Sequence, residues 1–449
     1  MKKLLSLFYL LIVSALINAQ NYLCFTANED SSSVGMYAKS DSIQSKIQYS
    51  IDGGKEWRKL EFSNMIPLRK GERVYFKGDY PQGLSSHFNL YVYFKMSGSI
   101  AASGSVMSLI DGKGVTTKIP SPYCFYGLFR ECSSLTTAPS LPATELAEDC
   151  YAWMFSGCSS LTKAPALPAT EAFGYCYHSM FYGCSSLTKA PALPATKLAH
   201  CCYAGMFSGC ISLTKAPALP ATELALRCYV DMFRGCSSLT AAPTLPAIEM
   251  ADFCYASMFS GCFRLTKAPS LPATKLALSC YSGMFSRCIR LTEAPALPVT
   301  EMAVYCYADM FSGCISLTTA PSLPATELAE NCYAWMFSGC ISLTKAPALP
   351  ATKLNRSCYS YMFSGCVNLT TAPALPATEM ALRCYVGMFR GCSSLTTAPA
   401  LPATELAESC YERMFQHCIR LTTAPALPAT ELADDCYHSM FEGCEKLNY

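Results

Sequence analysis

Cysteine is the residue whose number and spacing in this sequence most readily suggest chemistry. The chain has 28 cysteines in 449 residues, and 26 of them form pairs with seven residues between the partners, as in Cys150 and Cys158. Zinc-binding pairs usually have about two to four intervening residues. His200, Cys201 and Cys202 are adjacent, but this cluster occurs once and has no companion. We therefore predict no metal site and no cofactor.

The state of the paired cysteines has two interpretations. In an exported chain, regular pairs suggest a disulfide framework. If both partners lie on one helix, however, they are about 12 Å apart, and a disulfide needs its Cα atoms within about 7 Å. A bridge from Cys158 to Cys176 in the next copy is not excluded by this geometry. Because cysteine is also a good small core residue, we favour buried thiols over disulfides.

The segment from Ser50 to Trp57 is the second candidate for chemistry. It resembles the Asp-box motif S-x-D-x-G-x-T-W of sialidase propellers, except that Glu56 replaces the threonine. In this motif the aspartate, here Asp52, bonds the backbone of a turn and the tryptophan packs behind it. The motif occurs once here, without repeated blades or a basic cluster that would bind a carboxylate. We therefore predict a hairpin turn and no enzymatic activity.

The charges give little support for a partner recognised by electrostatics. The 34 basic and 32 acidic residues nearly balance, which offers no case for binding nucleic acid or an anionic membrane. One repeated position often carries lysine, and a basic strip there would either bind acidic glycans or aid solubility. These lysines are Lys163, Lys189, Lys215, Lys267 and Lys345. Another column, which includes Glu145 and Glu171, is interpreted as marking the starts of helices.

The elements that position these residues come from one repeated unit. The block from Cys150 to Cys158 recurs every 26 residues, and the last of its 13 copies ends at Cys444. A unit this small cannot bury its own apolar face, so neighbouring units must stack. Because every position repeats, we expect columns of identical side chains and a parallel sheet.

Each unit is predicted to be a strand, a turn and a short helix. An extended segment ends at Pro165, because proline cannot donate a hydrogen bond to a ladder. Cys176, Met180 and Cys184 follow at spacings of four residues, which predicts an apolar helical face of one or two turns. Gly183 would then allow a left-handed C-cap.

The repeat also resembles a known family. The residues from Met154 to Thr162 look like the MF-x-G-C-x-x-L-T signature of BspA-type leucine-rich-repeat surface proteins of bacteria. The resemblance covers residues 124–449, although Ala164-Pro165-Ala166 replaces the Leu-x-Leu strand core of the family. It implies an α/β leucine-rich-repeat solenoid, display at the cell surface and, in some members, adhesion to host proteins.

The N-terminal part of the chain differs from the repeats. Residues 1–19 have the basic, apolar and small-residue regions of a secretory signal peptide, which predicts export. No later segment has about 18 uninterrupted apolar residues, so we predict no transmembrane segment. Residues 20–96 are predicted to form a small all-β domain, and residues 97–123 a degenerate repeat that caps the solenoid of residues 124–449. The strand candidates are residues 22–26, 46–51, 55–57, 73–77 and 90–95.

Two pairs of positions vary between copies while the framework hardly changes. Glu148-Asp149 and Ala152-Trp153 show them in one copy. On a helix these positions could share one outward face, where aromatic residues would act as interface anchors. The candidate binding residues are Trp153, Tyr175, Phe253, Tyr305, Trp335 and Tyr361. Drift at unconstrained surface positions is the alternative explanation.

The sequence thus predicts a non-enzymatic, secreted or cell-surface repeat protein. Its expected partners are host or bacterial surface proteins or glycans, bound through many weak contacts that sum to useful avidity. The alternative is a structural stalk or surface-coat component without a specific ligand.

Overall fold

A computed structural model describes residues 21–40 and 43–447 of the chain. The predicted signal peptide, residues 1–19, lies outside the described residues. The chain divides after Leu213 into two compact units. Both units contain repeats of the same kind, and the first unit also contains the strands that precede the repeats.

Short strands dominate the part of the first unit that precedes the repeats. They are β1 (Leu23–Ala27), β2 (Ser32–Ala38), β3 (Gln48–Ser50), β4 (Arg58–Lys59), β5 (Met65–Leu68), β6 (Arg73–Lys77), β7 (Val92–Ser97) and β8 (Ile100–Ser103). One six-stranded sheet has the order β4-β3-β6-β1-β8-β9, where β9 (Leu135–Thr137) belongs to the first repeat, and a second sheet has the order β5-β2-β7. A single-turn helix, α1 (Ser108–Asp111), follows β8.

The core of this region follows from alternating apolar side chains. In β6, Val74 and Phe76 are buried while their neighbours are at least partly exposed, which is the period of two expected for a strand. Phe25, Phe76 and Phe94 meet edge to face with ring centroids 4.9 to 5.6 Å apart. These apolar residues therefore join the two sheets.

The strand predictions for this region are largely confirmed. β1, β6 and β7 agree with the predicted segments to within two residues at each end. β3 and β4 pair in antiparallel register, with Gln48 opposite Lys59, so the predicted hairpin is present. Its second strand begins after Trp57, whereas the sequence pattern placed Trp57 inside it.

The first repeat continues the sheet and the core of these strands. β8 pairs antiparallel with β1 and parallel with β9. The Phe94 ring stacks on Phe129 of the first repeat, with centroids 5.2 Å apart. The boundaries of the small β domain and of the capping repeat, at residues 96 and 123, stay predictions.

The cysteine-bounded block of each repeat is a series of consecutive turns, so the predicted short helix is wrong. Alternate amides close turns within the block, as where Met154 N donates to Tyr151 O at 3.2 Å. The remaining amides donate to the next repeat, as where Phe155 N donates to Met180 O at 2.9 Å. Half of the backbone amides of the block, which in a helix would all bond within the helix, therefore donate to a neighbouring repeat.

The physical reason is a left-handed residue at every fourth position. In one copy the angle φ is 52° at Asp149, 59° at Trp153 and 76° at Gly157. A right-handed helix cannot continue through such residues. A period of four is close to the helical period of 3.6, which explains why the apolar spacing predicted a helix.

The rest of the repeat also differs from the predicted unit. Gly183 is left-handed as expected, with φ of 68°, but it lies in a turn instead of capping a helix. The position of Glu171 does not start a helix, because β10 (Glu171–Ala172) pairs in parallel with β11 (Lys197–Leu198). Past β9, the predicted extended segments make single parallel bridges, such as the one between Lys163 and Lys189.

Equivalent side chains stack into columns within each unit, as predicted. In the first unit, Tyr177 stacks between Tyr151 and Tyr203 with ring centroids 6.0 and 5.5 Å apart. In the second unit, Phe259 and Phe285 stack with centroids 5.7 Å apart and rings within 5° of parallel. These rings are almost completely buried. Each unit is thus a solenoid-like stack of the 26-residue repeats.

All 28 cysteines are buried free thiols, which confirms the favoured interpretation. The second cysteine of a block donates its S–H to a carbonyl of the preceding repeat, as from Cys158 Sγ to Phe129 O at 3.0 Å. Burial raises the pKa of the Cys184 thiol to about 12, so it stays protonated and unreactive at neutral pH. The described residues contain no group of three or more His, Cys, Asp and Glu that could hold a metal ion.

Candidate binding surface

The six aromatic candidates share one backbone feature. Each lies at a left-handed residue of its turn block, with φ between 51° and 59°. Tyr175, Phe253 and Tyr305 occupy the residue just before the first cysteine, which is the first left-handed position of the repeat. Trp153, Trp335 and Tyr361 lie four residues later, at the second left-handed position.

A left-handed backbone is unfavourable for such bulky residues. The conformation costs about 1–2 kcal/mol for a residue with a Cβ atom, and bulky residues adopt it rarely. Glycine, which has no such cost, occupies the second left-handed position at Gly205 and Gly283. The backbone of the repeat therefore does not favour the aromatic residues at these positions.

Trp153 and Tyr175 are brought together in the first unit. They belong to a group of five rings, the Trp153 cluster, which consists of Trp153, Tyr175, His178, Tyr182 and His200. The His178 ring lies 5.4 Å from Trp153 and 5.7 Å from Tyr175, and meets both edge to face. Tyr182 lies 5.9 Å from Trp153, and His200 lies 5.1 Å from Tyr175.

Charged groups of both signs surround the Trp153 cluster. The Arg130 guanidinium lies over the Trp153 ring, 5.1 Å from its centroid. The Glu148 carboxylate is 3.7 Å from Nε2 of His200. Burial raises the pKa of Asp149 to about 6, although a hydrogen bond from Tyr123 opposes this shift.

His178 has the least solvated polar group of the cluster. Its Nδ1 atom is buried and has no hydrogen-bond partner among the described residues. Burial lowers the pKa of the imidazole, so the ring is neutral at physiological pH. A neutral imidazole can donate or accept one hydrogen bond at each nitrogen, depending on its tautomer.

Trp335 and Tyr361 form a second aromatic pair, in the second unit. Their rings stack with centroids 5.5 Å apart and planes within 7° of parallel. Trp335 remains 37% exposed. A Cβ atom at Gly387, the equivalent residue of the next repeat, would overlap the Tyr361 ring. The glycine therefore leaves the space that Tyr361 occupies.

Phe253 and Tyr305 are not brought together with the other candidates. The Arg227 guanidinium lies over the Phe253 ring at 4.8 Å. Tyr305 is 39% exposed, and the repeat that carries Ser279 separates it from Phe253 in the sequence. The six candidates thus comprise two local pairs and two separate residues.

Sequence reasoning missed three members of the Trp153 cluster as site residues: His178, Tyr182 and His200. Tyr182 is 47% exposed and stands where the adjacent repeats have Ser156 and Ser208. A single aromatic residue at a position that otherwise carries serine was a usable signal. The two histidines lie at the variable positions, equivalent to Ala152 and Glu148, but only the turn geometry brings them against Tyr175.

The lysine position lies on an exposed parallel bridge, as expected for a strand position, whereas the acidic column does not mark helix starts. Lys163 and Lys189 are exposed neighbours across a parallel bridge, and neither makes an ion pair within the described part of the chain. In the acidic column, Glu171 pairs with Lys197 at 2.6 Å across two repeats. Exposed pairs of this kind contribute little stability.

Asp52 closes a turn, as predicted for the Asp-box-like segment. Its Oδ1 atom accepts hydrogen bonds from the amides of Lys55 and Glu56 at 3.0 and 3.1 Å, and from Ser50 Oγ at 2.6 Å. These bonds, led by that of Ser50, lower the pKa of the carboxyl group. Trp57 Nε1 donates to the carbonyl of Gly54 at 3.0 Å. The Asp52 carboxylate therefore accepts its hydrogen bonds from residues of its own loop.

Comparison with known proteins finds one family. The chain matches the model of the BspA type leucine-rich-repeat region in six copies, at residues 122–240, 281–399 and 307–448. No curated protein sequence and no solved structure matches the chain. No helix within residues 21–40 and 43–447 is both long and apolar enough to cross a membrane.

Proposed function

Because the chain belongs to the BspA-type leucine-rich-repeat family, whose members are associated with bacterial surfaces, we propose that it is an exported surface protein that binds macromolecules of a host or neighbouring cell. The aromatic residues at the first and second left-handed positions make the contacts, and the partner is a protein or a glycan. The function proposed is non-catalytic. The signal peptide of residues 1–19 and the small β domain of residues 20–96 belong to the same proposal.

The observation that carries the proposal is the placement of exposed aromatic residues on an unfavourable backbone. Trp335 and Tyr305 are 37% and 39% exposed, so much of their apolar surface gains nothing from folding. Both residues also bear the cost of a left-handed φ. The left-handed φ recurs in the other repeats, so the aromatic side chain is the distinguishing feature, and exposed aromatic residues are frequent interface anchors.

The spacing of the candidates supports a multivalent mode of binding. Each unit presents one aromatic pair, Trp153 with Tyr175 in the first and Trp335 with Tyr361 in the second. A ligand long enough to reach several contacts within one unit would gain affinity from each additional one. The structural stalk remains the second candidate, since a repeat stack also provides reach without any ligand.

The test replaces one tryptophan of each unit in the full chain. We expect the double variant Trp153→Ala/Trp335→Ala to attach to immobilised matrix proteins, mucins or host cells at least about tenfold more weakly. Its circular-dichroism melting temperature should fall by only a few degrees, because each side chain contributes about 1 kcal/mol and neither belongs to a buried column. The matched control is Ile211→Ser/Ile341→Ser, which removes one exposed apolar residue from each unit.

Other outcomes would assign the repeats differently. Equal losses in the tryptophan and isoleucine variants would show non-specific adhesion and contradict a defined surface. Unchanged attachment of the tryptophan variant, with loss only after a 26-residue repeat is deleted, would support the stalk. Absence of saturable binding by the unmodified chain would also overturn the proposal.

A further inference from the structure

A second set of rings extends the aromatic surface within the first unit. Each ring is half-buried and lies 5.4 to 6.0 Å from the next. We name this set the tyrosine track. Its members, in spatial order, are Tyr37, Tyr93, Tyr91, Tyr126, Tyr123 and His87.

Arg130 connects the tyrosine track with the Trp153 cluster. Its guanidinium lies over the Trp153 ring at 5.1 Å, and its charge also acts on the phenol of Tyr126, whose pKa burial raises and Arg130 lowers. Both sets of rings lie in the first unit. They therefore form one extended surface, which runs from the strands that precede the repeats onto the first repeats.

The composition of this surface points to a ligand with apolar faces and polar edges. Every ring of the two sets belongs to Tyr, His or Trp, so each carries a hydrogen-bonding atom beside its π face. The exposed Phe88 ring, 4.0 Å from His87, adds an apolar face at the end of the tyrosine track. A hexopyranose has the complementary pattern, because its axial C–H groups form apolar faces and its hydroxyls lie around the edge.

The ring orientations in the Trp153 cluster also distinguish it from the core. In the buried columns, neighbouring rings are within 13° of parallel and cover one another. In the Trp153 cluster, neighbouring planes are inclined by 50° to 85°, so their faces point in different directions. Aromatic rings inclined in this way can contact more than one face of a non-planar sugar ring.

The charges favour a neutral ligand over a polyanion. Arg130 at the cluster and Lys95, which lies 4.5 Å over the Tyr37 ring, are the cations in contact with these rings. The Glu148 carboxylate, 3.7 Å from His200, and Asp149 near Tyr123 oppose them. A site for an acidic polysaccharide or a nucleic acid needs a clear excess of positive charge.

We infer that the Trp153 cluster and the tyrosine track bind a neutral oligosaccharide built of hexopyranose units, with Trp153 and Tyr182 as stacking residues and His178 and Glu148 as hydrogen-bonding groups. This inference rests on the proposed function and specifies its ligand in the first unit. The neutral imidazole of His178 has a buried nitrogen, Nδ1, without a partner among the described residues. A rotation of the ring on binding would let a sugar hydroxyl satisfy this nitrogen.

The first experiment uses Trp153 as its own reporter. The chain has three tryptophans, so the variant Trp57→Phe/Trp335→Phe leaves only Trp153. This full-length variant would be titrated with purified neutral oligosaccharides, including cellohexaose, xylohexaose and N-acetyllactosamine oligomers. We expect saturable changes in tryptophan emission with at least one of them, at the concentrations at which calorimetry detects binding. No saturable change with any oligosaccharide would overturn the inference.

A second variant separates stacking from general stability. Tyr182→Ser introduces the residue that the adjacent repeats carry at Ser156 and Ser208, so the turn framework is retained. We expect oligosaccharide binding to be about tenfold weaker, because one stacking contact and its buried area are lost. The matched control is Ile315→Ser, which replaces an exposed apolar residue of the second unit by the serine found at Ser159. Equal affinities in the two variants would contradict the assignment of Tyr182.

Parallel binding to immobilised matrix proteins separates this inference from the proposed function. Protein binding that depends on Trp153 and Trp335, without oligosaccharide binding, would refute the inference and leave the proposed function standing. If the unmodified chain binds neither oligosaccharides nor matrix proteins, both the inference and the proposed function are refuted. Oligosaccharide binding that Tyr182→Ser weakens would support both.

Discussion

The buried columns and the left-handed positions lie in the same turn block and follow opposite rules. Phe285 in a buried column is 0% exposed and stacks on identical rings at 5.7 and 5.8 Å. At the second left-handed position, only two residues of the block away from the phenylalanine, the repeats carry Trp335, Asp309 or Gly283. One backbone therefore supports an invariant interior and a variable exterior.

The difference shows what holds a repeat in place. The backbone hydrogen bonds between repeats do not depend on side-chain identity, as where Trp335 N donates to Ser360 O at 2.9 Å and Asp309 N to Ala334 O at 2.8 Å. Side chains in the buried columns must still fit a close-packed interior. Side chains at the left-handed positions need only tolerate their backbone angles, so these positions are where binding residues can change at small cost.

The largest expected effect comes from removing a ring of a buried column. Phe285→Ala should cost about 3–5 kcal/mol in the free energy of unfolding, because the cavity lies between two stacked rings. Trp335→Ala should cost about 1 kcal/mol, close to the value of one aromatic contact. Hydrogen exchange of the flanking repeats measures both losses locally, which suits a repeat protein that opens in parts. Equal losses of stability in the two variants would contradict the difference between the buried columns and the left-handed positions.

A smaller effect tests the backbone itself. Trp335→Gly should be more stable than Trp335→Ala by about 1 kcal/mol, because alanine retains the cost of a left-handed φ and glycine does not. A helix would give the opposite order by about the same amount. Thermal unfolding of the two variants, which differ by one methyl group, decides between the turn block and the helix that the sequence pattern suggested.

The smallest expected effect depends on pH. The pKa of Asp149 is raised to about 6 from a usual 3.8, so the fold favours the protonated carboxyl group and loses stability as pH rises through this range. An asparagine in its place would stay neutral and would tolerate the φ of 52°. Asp149→Asn should therefore be more stable than the unmodified chain near pH 7.5, by roughly 1 kcal/mol after allowance for solvent exposure.

The pH control for this variant is a melting curve near pH 3.5. Both chains are largely neutral at this residue under those conditions, so the difference between their melting temperatures should vanish. A difference that stays constant with pH would show that the amide changes packing or hydrogen bonding, and that ionisation of Asp149 does not limit stability.

The parts of the fold that the sequence predicted correctly depend on repetition and on side-chain polarity. The period of 26 residues required stacked columns, and the alternation of apolar residues in β6 located a strand to the residue. The helix failed because a period of four and a period of 3.6 bury almost the same residues over one block. Only the backbone angle at positions such as Asp149 and Trp153 distinguishes the two conformations.

The candidate surface could be predicted only in part for a related reason. Variation between copies located Trp153 and Tyr175, because it reports which positions the core leaves free. The contacts of His200 with Tyr175 and of Arg130 with Trp153 depend on how far one repeat is offset from the next. That offset is set by the hydrogen bonds between repeats, and sequence spacing does not contain it.

The hydrogen bonds between repeats also affect how the gene can change. Each bond joins residues at a fixed offset in neighbouring copies, as from Tyr151 N to Cys176 O. Unequal recombination that adds or removes 26 codons, or a multiple of 26, keeps every donor opposite an acceptor. An insertion of one codon instead moves a left-handed residue into a buried column. Lineages can therefore lengthen or shorten the array in single genetic events, and so alter how many aromatic residues it displays without redesigning its interior.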